Sequence, residues 1–354
     1  WMQYPVGMEF DPEQMRNVMT DFWAVAFSPV AVHKFFHTVF SGWTLAGIFV
    51  IGVSSWFLLK KRNREMALDS IKAGGIVGSV GLVITLWMGD SSSVDVARVQ
   101  PMKLAAMEGL YEGSCGAPLT AVGILNPEKD YSNDADPYLW HISIPKGLSF
   151  LANHDMDSFV PGINNLVEGY EINASGDTVA TTSYAERIAI GKRAHEALRA
   201  FDRAMAAGDK AAMDSARLVI KENYKYFGYG YLDSPEEAIP PVAVTFYSFH
   251  IMVIIGGYLV AFLLLVMIAV YKKPSLFESR WLQWLGIISI PLVWICSQAG
   301  WLVAEFGRQP WVIQDIMPCK AAISAISTSD VIITFVIFAV VFTALLAAEI
   351  SIMC

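Results

Sequence analysis

The run Gly300-Trp301-Leu302-Val303-Ala304-Glu305-Phe306-Gly307-Arg308-Gln309-Pro310-Trp311 closes an apolar stretch with a carboxylate and a guanidinium. From Trp281 to Ala304 there is no charge, a length sufficient to cross a bilayer. Glu305 follows at the lip of that segment, four residues after Trp301 and three before Arg308. If the helix continues, all three share one face. Ionisable groups at membrane depth are costly unless they hold something, so the trio marks a functional site. The plainer alternative is a helix-end salt bridge with no cofactor.

Two further groups could do chemistry. His37 lies in His33-Lys34-Phe35-Phe36-His37-Thr38 at the start of an apolar span, and Met252 in Phe249-His250-Ile251-Met252-Val253. An intramembrane histidine is either a packing residue or a ligand, and a methionine in an apolar helix is ordinarily core. The two fall at similar depths on spans read as antiparallel, so a flat cofactor fits between them. His/Met axial ligation would give a low-spin haem iron of raised potential. His250 competes as a ligand and would give His/His ligation instead. The second group is Lys103 and Glu108, in Val99-Gln100-Pro101-Met102-Lys103-Leu104-Ala105-Ala106-Met107-Glu108, downstream of Gly89-Asp90. A carboxylate can take up protons shed during an oxidation, and a lysine can orient an oxygen. Five residues apart, they also read as ordinary surface charges.

The elements that must position these groups are membrane helices. The chain is 55% hydrophobic and 16% charged, which excludes an ordinary soluble globular class. Its net charge of −8 sits mostly in the polar middle, and no basic stripe suggests nucleic acid. Apolar spans run from about Phe35 to Leu59, Ala67 to Met88, Val242 to Val270, Trp281 to Ala304 and Val331 to Ala348. The second carries Gly74, Gly75, Gly78 and Gly81, suited to close helix packing in lipid. Lys60-Lys61-Arg62-Asn63-Arg64 and Lys272-Lys273 with Arg280 place two connections in the cytoplasm.

The fold class is therefore an all-α, multi-span transmembrane helix bundle with a large, partly helical extracytoplasmic loop. Residues 1–34 form an extracytoplasmic lead-in, 35–90 two transmembrane helices, and 91–240 the extracytoplasmic loop. Residues 241–306 form two more helices, 307–330 an extracytoplasmic link, and 331–354 the last helix. Asp11-Pro12-Glu13 starts a short amphipathic helix within residues 8–30. Tyr184 to Ala207 and Lys210 to Tyr226 form an amphipathic pair broken at Gly208-Asp209, and Asn126-Pro127 and Gly162-Ile163-Asn164-Asn165 mark turns. Cys115, Cys296, Cys319 and Cys354 show no metal-binding spacing. Cys115 and Cys319 fall outside the membrane, where a disulfide could form. Trp1-Met2-Gln3-Tyr4-Pro5 reads as the tail of a membrane helix and Cys354 follows no basic flank, so further sequence is expected at both ends.

The motif GWLVAEFGRQPW closely resembles the signature of subunit I of cytochrome bd-type quinol oxidases. Lys34-Phe35-Phe36-His37-Thr38 is similar to that family's KF-x-HT segment, whose histidine binds low-spin haem b. The segment from Gly89-Asp90 through Glu108 resembles its quinol loop, and residues 91–240 place the chain with the long-loop type. The resemblance implies Met252 as second ligand of low-spin haem b and Glu305 as ligand of high-spin haem b. It further implies Arg308 as a propionate partner, Trp301 as packing between haems, and Lys103 and Glu108 in quinol oxidation. His250 stands where the family often has arginine. Members carry nine spans in this subunit, and these five match the last five, so sites for the high-spin haem and haem d would be shared with other helices. The implied function is reduction of dioxygen to water by quinol, with a second large membrane subunit and small single-helix subunits. The implied location is the bacterial inner membrane, with the loop on the periplasmic side.

Three other readings compete. A haem-b anchor passing electrons between quinone and a partner would ordinarily use two histidines per haem and would lack haem d. A transporter lined by Glu305 and Arg308 would show no visible absorption. A purely structural piece would gain no activity when completed with further spans.

Overall fold

The computed structural model describes residues 1–173 and 176–353, so Cys354 lies outside the described residues. Its helices are α1 (Phe22–Ala26), α2 (Pro29–Leu59), α3 (Arg64–Val99), α4 (Pro101–Glu108), α5 (Gly147–Asn153), α6 (Ile163–Glu168), α7 (Tyr184–Ala207), α8 (Lys210–Asn223), α9 (Val242–Lys272), α10 (Arg280–Phe306) and α11 (Thr328–Met353). The five expected membrane-crossing helices are present as α2, α3, α9, α10 and α11. Residues Trp1–Pro318 form one compact unit and the chain from Cys319 a second. In the second unit, α11 exposes its apolar side chains from Val331 to Ile352, a surface suited to lipid.

Within the first unit α2 packs on α3 and α10, and α9 packs on α3 and α10, making a four-helix ring with α2 and α9 at opposite corners. Glycine lets two of these helices approach closely. A Cβ added to Gly47 would lie 2.5 Å from the Gly74 carbonyl oxygen and 2.6 Å from the Gly78 Cα. A second close approach sets α2 on α10, where Gly286 meets Ser55. Ile48, Ile51, Ile71, Leu259, Leu263 and Leu282 fill the shared core. These contacts also fix direction. Gly47 meets Gly74 and Gly78, whereas Gly81 meets Phe40 and Thr44, so α3 runs against α2. Gly75 meets Met267 while Gly78 meets Leu263, so α9 runs against α3. The expected antiparallel relation of the His37 and Met252 helices is therefore wrong: two reversals make α2 and α9 parallel.

Between α4 and α9 the chain is helical but also carries short hairpins. There β3 (Ser114–Cys115) pairs with Phe159–Val160, and β4 (Leu119–Leu125) pairs antiparallel with β5 (Tyr138–Ile144), while ahead of α1 a further hairpin pairs β1 (Met8–Asp11) with β2 (Arg16–Met19). The β1–β2 hairpin replaces the short helix expected from Asp11. The Asp11 carboxylate accepts from the backbone N–H of Glu13 at 2.7 Å and closes a turn instead of capping a helix. The turn expected at Gly162–Asn165 opens α6, because the Asn165 side-chain oxygen accepts from the Gly162 N–H at 3.0 Å. α7 matches its expected bounds, with a Ser183/Glu186 capping box at one end and Gly208 at φ +72° at the other. α8 stops at Asn223 and tightens into a 3₁₀ segment, Tyr224–Tyr231. α3 continues to Val99, past the expected end at Met88, which puts Gly89 and Asp90 on helix. Among the described residues, Cys115 and Cys296 carry free thiols, and Cys115 forms no disulfide.

The glycine seam predicts an asymmetric response to bulk. Gly47→Leu should lower the thermal midpoint and the yield of detergent-solubilised protein, since forcing methylenes into packed backbone costs about 1–3 kcal/mol or more. Gly42→Ala, where nothing lies within 4 Å of an added Cβ, should leave both near wild type. Equal effects of the two substitutions would contradict the seam.

Candidate functional site

α2 carries His37 into the ring against α3. Its Nδ1 lies 3.0 Å from the Thr85 carbonyl oxygen, which can only accept, so the ring donates there and keeps its Nε2 lone pair. The ring rests on Gly89, where an added Cβ would come within 3.3 Å of Cε1. Met252 approaches from α9, its Sδ against Gly300 of α10. One turn further along α9, a Cβ added to Gly256 has nothing within 4 Å, and the same holds for Gly257. An imidazole nitrogen, a thioether sulfur and space beside the sulfur-bearing helix suit a flat metal-centred group. His250 does not offer a free donor. Its Nε2 lies 2.8 Å from the Thr120 carbonyl oxygen and its Nδ1 2.9 Å from that of Phe246.

α10 ends at Phe306, so the continuous helical face expected for Trp301, Glu305 and Arg308 is interrupted. Arg308 instead reaches back from the following turn, and its Nη2 donates to Glu305 Oε2 at 2.6 Å. Trp301 is 60% exposed and takes no part in that pair. Two lysines join the site from other elements. Lys34 of α2 lies within electrostatic reach of Asp95, Arg308 and Glu305. Lys103 of α4 lays its stem over Gly307, 3.0 Å from where a Cβ would stand, and senses Lys34, Arg308 and Glu305. Asp95 accepts from His33 at 2.6 Å. Lys34 Nζ and Arg308 Nε are buried with no hydrogen-bond partner. Three cations thus face few anions, and burial followed by repulsion from Lys34 and Arg308 pushes the Lys103 ammonium well below its usual range. The cluster is built to receive negative charge.

Glu108 faces elsewhere. Five residues on a helix turn it roughly 140° from Lys103, and the two side chains meet different partners. Glu108 is 1% exposed. Its Oε2 accepts from the Thr120 N–H at 3.2 Å, and its Oε1 is buried with no partner. Tyr138 donates to the Glu108 backbone carbonyl oxygen and stands 3.2 Å from Thr120 Oγ1. Burial raises the Glu108 carboxyl to about 8, with the Thr120 N–H opposing. Neither Lys103 nor Glu108 is a surface charge. A polar chain braces the other side of α4: Gln100 donates to Gln314 at 3.0 Å, Gln314 to Asp315 at 3.1 Å, and Tyr229 of the 3₁₀ segment to Asp315 at 2.8 Å. Arg187 of α7 donates to the Tyr229 hydroxyl at 3.2 Å.

A profile described as cytochrome bd terminal oxidase subunit I matches residues 1–354. The chain belongs to that family. It is 36% identical over 353 residues to cytochrome bd-II ubiquinol oxidase subunit 1 of Escherichia coli strain K12, covering 100% of this chain and 67% of that protein. It is 27% identical to cytochrome bd ubiquinol oxidase subunit 1 of Bacillus subtilis strain 168, covering 97% of this chain and 59% of that protein. The fold is shared with the bd oxidase of Geobacillus thermodenitrificans, at TM-score 0.68 and 21% identity over 99% of this chain and 63% of that one. The chain thus spans about two thirds of the length of the relatives it matches. A cytochrome family implies haem, and the donors and buried unpartnered cations described above fit that group.

The bd-family chain therefore gathers Glu305, Arg308 and Lys103 in one place, with His37 and Met252 on facing corners of the ring, and sets Glu108 apart. Lys34 is a member of the site that the histidine motif contained; lying three residues before His37 puts the two on one helical side, but only the fold brings it near Glu305 and Arg308. Thr120 and Tyr138 carry no comparable signal, because they act largely through backbone groups. The elevated Glu108 carboxyl sets a pH dependence. Below about 8 it is protonated and cannot accept a proton, and above that value it can. Turnover with quinol should rise with pH through this region, measured as oxygen uptake by the assembled complex, and the rise should vanish in Glu108→Gln. Its persistence in that variant would assign the titration to another group.

Proposed function

We propose that this chain is the electron-transfer part of a quinol:oxygen oxidoreductase of the bacterial inner membrane, with the 91–240 loop on the periplasmic side. The observation that supports this best is the convergence, at one end of the helical ring, of a histidine with a free Nε2, a carboxylate–guanidinium pair and a buried lysine. His37 and Met252 hold low-spin haem b, and the Thr85 carbonyl orients the imidazole for that task. Glu305 holds high-spin haem b, its carboxylate being a weak-field donor that offsets ferric charge. Arg308 and Lys34 neutralise propionates in poorly solvated surroundings. When bound, these haems, together with a haem d at a site completed by other helices, supply the one-electron chemistry linking quinol to dioxygen.

The chain's own part is proton and substrate handling. Glu108 accepts a proton from the quinol hydroxyl as electrons leave, a role suited to a carboxylate titrating near physiological pH. Lys103, its ammonium destabilised by burial, orients a quinol oxygen by hydrogen bonding. Trp301, exposed on α10, would supply packing surface between bound haems. The named relatives act on ubiquinol, and a quinol of that general class is the substrate proposed here. A second large membrane subunit and small single-helix subunits complete the complex.

His37→Ala and Met252→Leu should each abolish the low-spin absorption of reduced membranes while the protein still accumulates, and an unchanged spectrum would refute the ligand pair. Glu108→Ala should slow quinol-driven oxygen uptake by roughly 10²-fold or more while sparing uptake driven by artificial electron donors. Equal loss with both donors would refute a role confined to quinol. A pyridine haemochrome assay finding no haem d in the complex would redirect the reading to a haem-b anchor.

A further inference from the structure

His250 is buried, 6% exposed, on α9 only two residues before Met252. Both of its ring nitrogens face carbonyl oxygens, and one of those carbonyls belongs to Thr120 of β4, 2.8 Å away. Thr120 is a junction. Its carbonyl meets His250, its N–H donates to Glu108 Oε2 at 3.2 Å, and its hydroxyl stands 3.2 Å from the Tyr138 hydroxyl, which also holds the Glu108 backbone carbonyl. The imidazole is clamped in turn by the Phe246 ring, with centroids 3.9 Å apart, and by the Phe246 carbonyl one helical turn back. One residue, through the peptide groups on either side of its Cα, therefore joins the helix that bears Met252 to the carboxylate that faces a buried, unpartnered direction through Oε1.

We infer that His250 is a positioning residue for quinol oxidation: by donating to the Thr120 carbonyl it anchors the strand residue whose N–H aims the Glu108 carboxylate. This rests on the role proposed above for Glu108. Thr120 is the second residue of β4. Its partner β5 meets it through Thr120–Ser143 and then skips to Val122–Ile142, an irregularity in register beside the junction. Without the imidazole, the Thr120 carbonyl would be a buried acceptor lacking its donor, so Thr120 as a whole would shift toward another partner. That shift carries the Thr120 N–H away from Glu108. Misplacing a reacting group by about 1 Å costs up to roughly 10²-fold in rate.

The test uses the assembled oxidase and three variants. His250→Phe keeps the ring packing on Phe246 and removes the donor. It should lower kcat with quinol by about tenfold or more, leave KM within about twofold, and retain the low-spin absorption and artificial-donor oxygen uptake. His250→Gln, whose amide can still donate to Thr120, should restore kcat to within about twofold of wild type. If His250→Phe does not accumulate, His250→Asn, whose amide is one methylene short, should show the same kcat loss. Wild-type kcat in His250→Phe, loss of its low-spin absorption, or equal impairment of the Gln and Phe variants would each overturn the inference. Glu108→Gln separates the levels. If it is inactive with quinol while His250→Phe turns over normally, only the positioning role falls. Full turnover of Glu108→Gln would remove the Glu108 reading and this inference with it.

Discussion

Lys34, Lys103 and Arg308 crowd one weakly solvated region with Glu305 as their shared counter-charge, and that electrostatic imbalance is the constraint the surrounding structure must satisfy. Taking such ions out of water costs several kcal/mol each unless geometry and further partners compensate. The Glu305–Arg308 pair, at 2.6 Å, supplies part of that compensation, and the His33–Asp95 pair supplies negative charge near Lys34. What remains is a net positive field in a small volume. It attracts anionic groups and disfavours the charged form of Lys103.

The positions of these charges are held by elements with different jobs. α2 and α10 bring Lys34, Glu305 and Arg308 to the same end of the ring, because glycine at Gly52 and Gly286 lets the two helices pack closely. α4 is short but almost wholly buried, and it bridges the ring to the polar segment. Its two buried ionisable residues diverge, Lys103 toward the end of α10 and Glu108 toward β4. The Gln100–Gln314–Asp315–Tyr229–Arg187 chain holds α4 from the opposite side. A helix of eight residues would be marginal alone, and these tertiary ties replace the cooperativity that it lacks.

Sequence reading failed where local competition decided the outcome. Asp11 has the look of a helix cap, yet its carboxylate closed a turn inside a hairpin, and Asn165 made a helix start out of an apparent turn. In both cases the side chain could satisfy either conformation, and long-range packing chose. The direction of α2 relative to α9 was derivable from counting reversals. The burial of Glu108 was not, since a glutamate at the end of a polar-flanked helix carries no mark of a low-dielectric environment until β4, β5 and α9 close over it.

Hydropathy and charge along the chain were enough to establish five membrane-crossing helices, because a bilayer imposes length and polarity on each segment separately. The motifs likewise exposed Glu305, Arg308 and His37 as unusual for their surroundings, and the resemblance they carry agrees with the family to which the chain belongs. Only the tertiary structure decided that Lys34 and Lys103 share the Glu305–Arg308 site, that Glu108 does not, and that His250 meets carbonyls instead of standing free. Those are relations between elements distant in sequence. They depend on which helical faces meet and on backbone groups whose availability no residue type encodes.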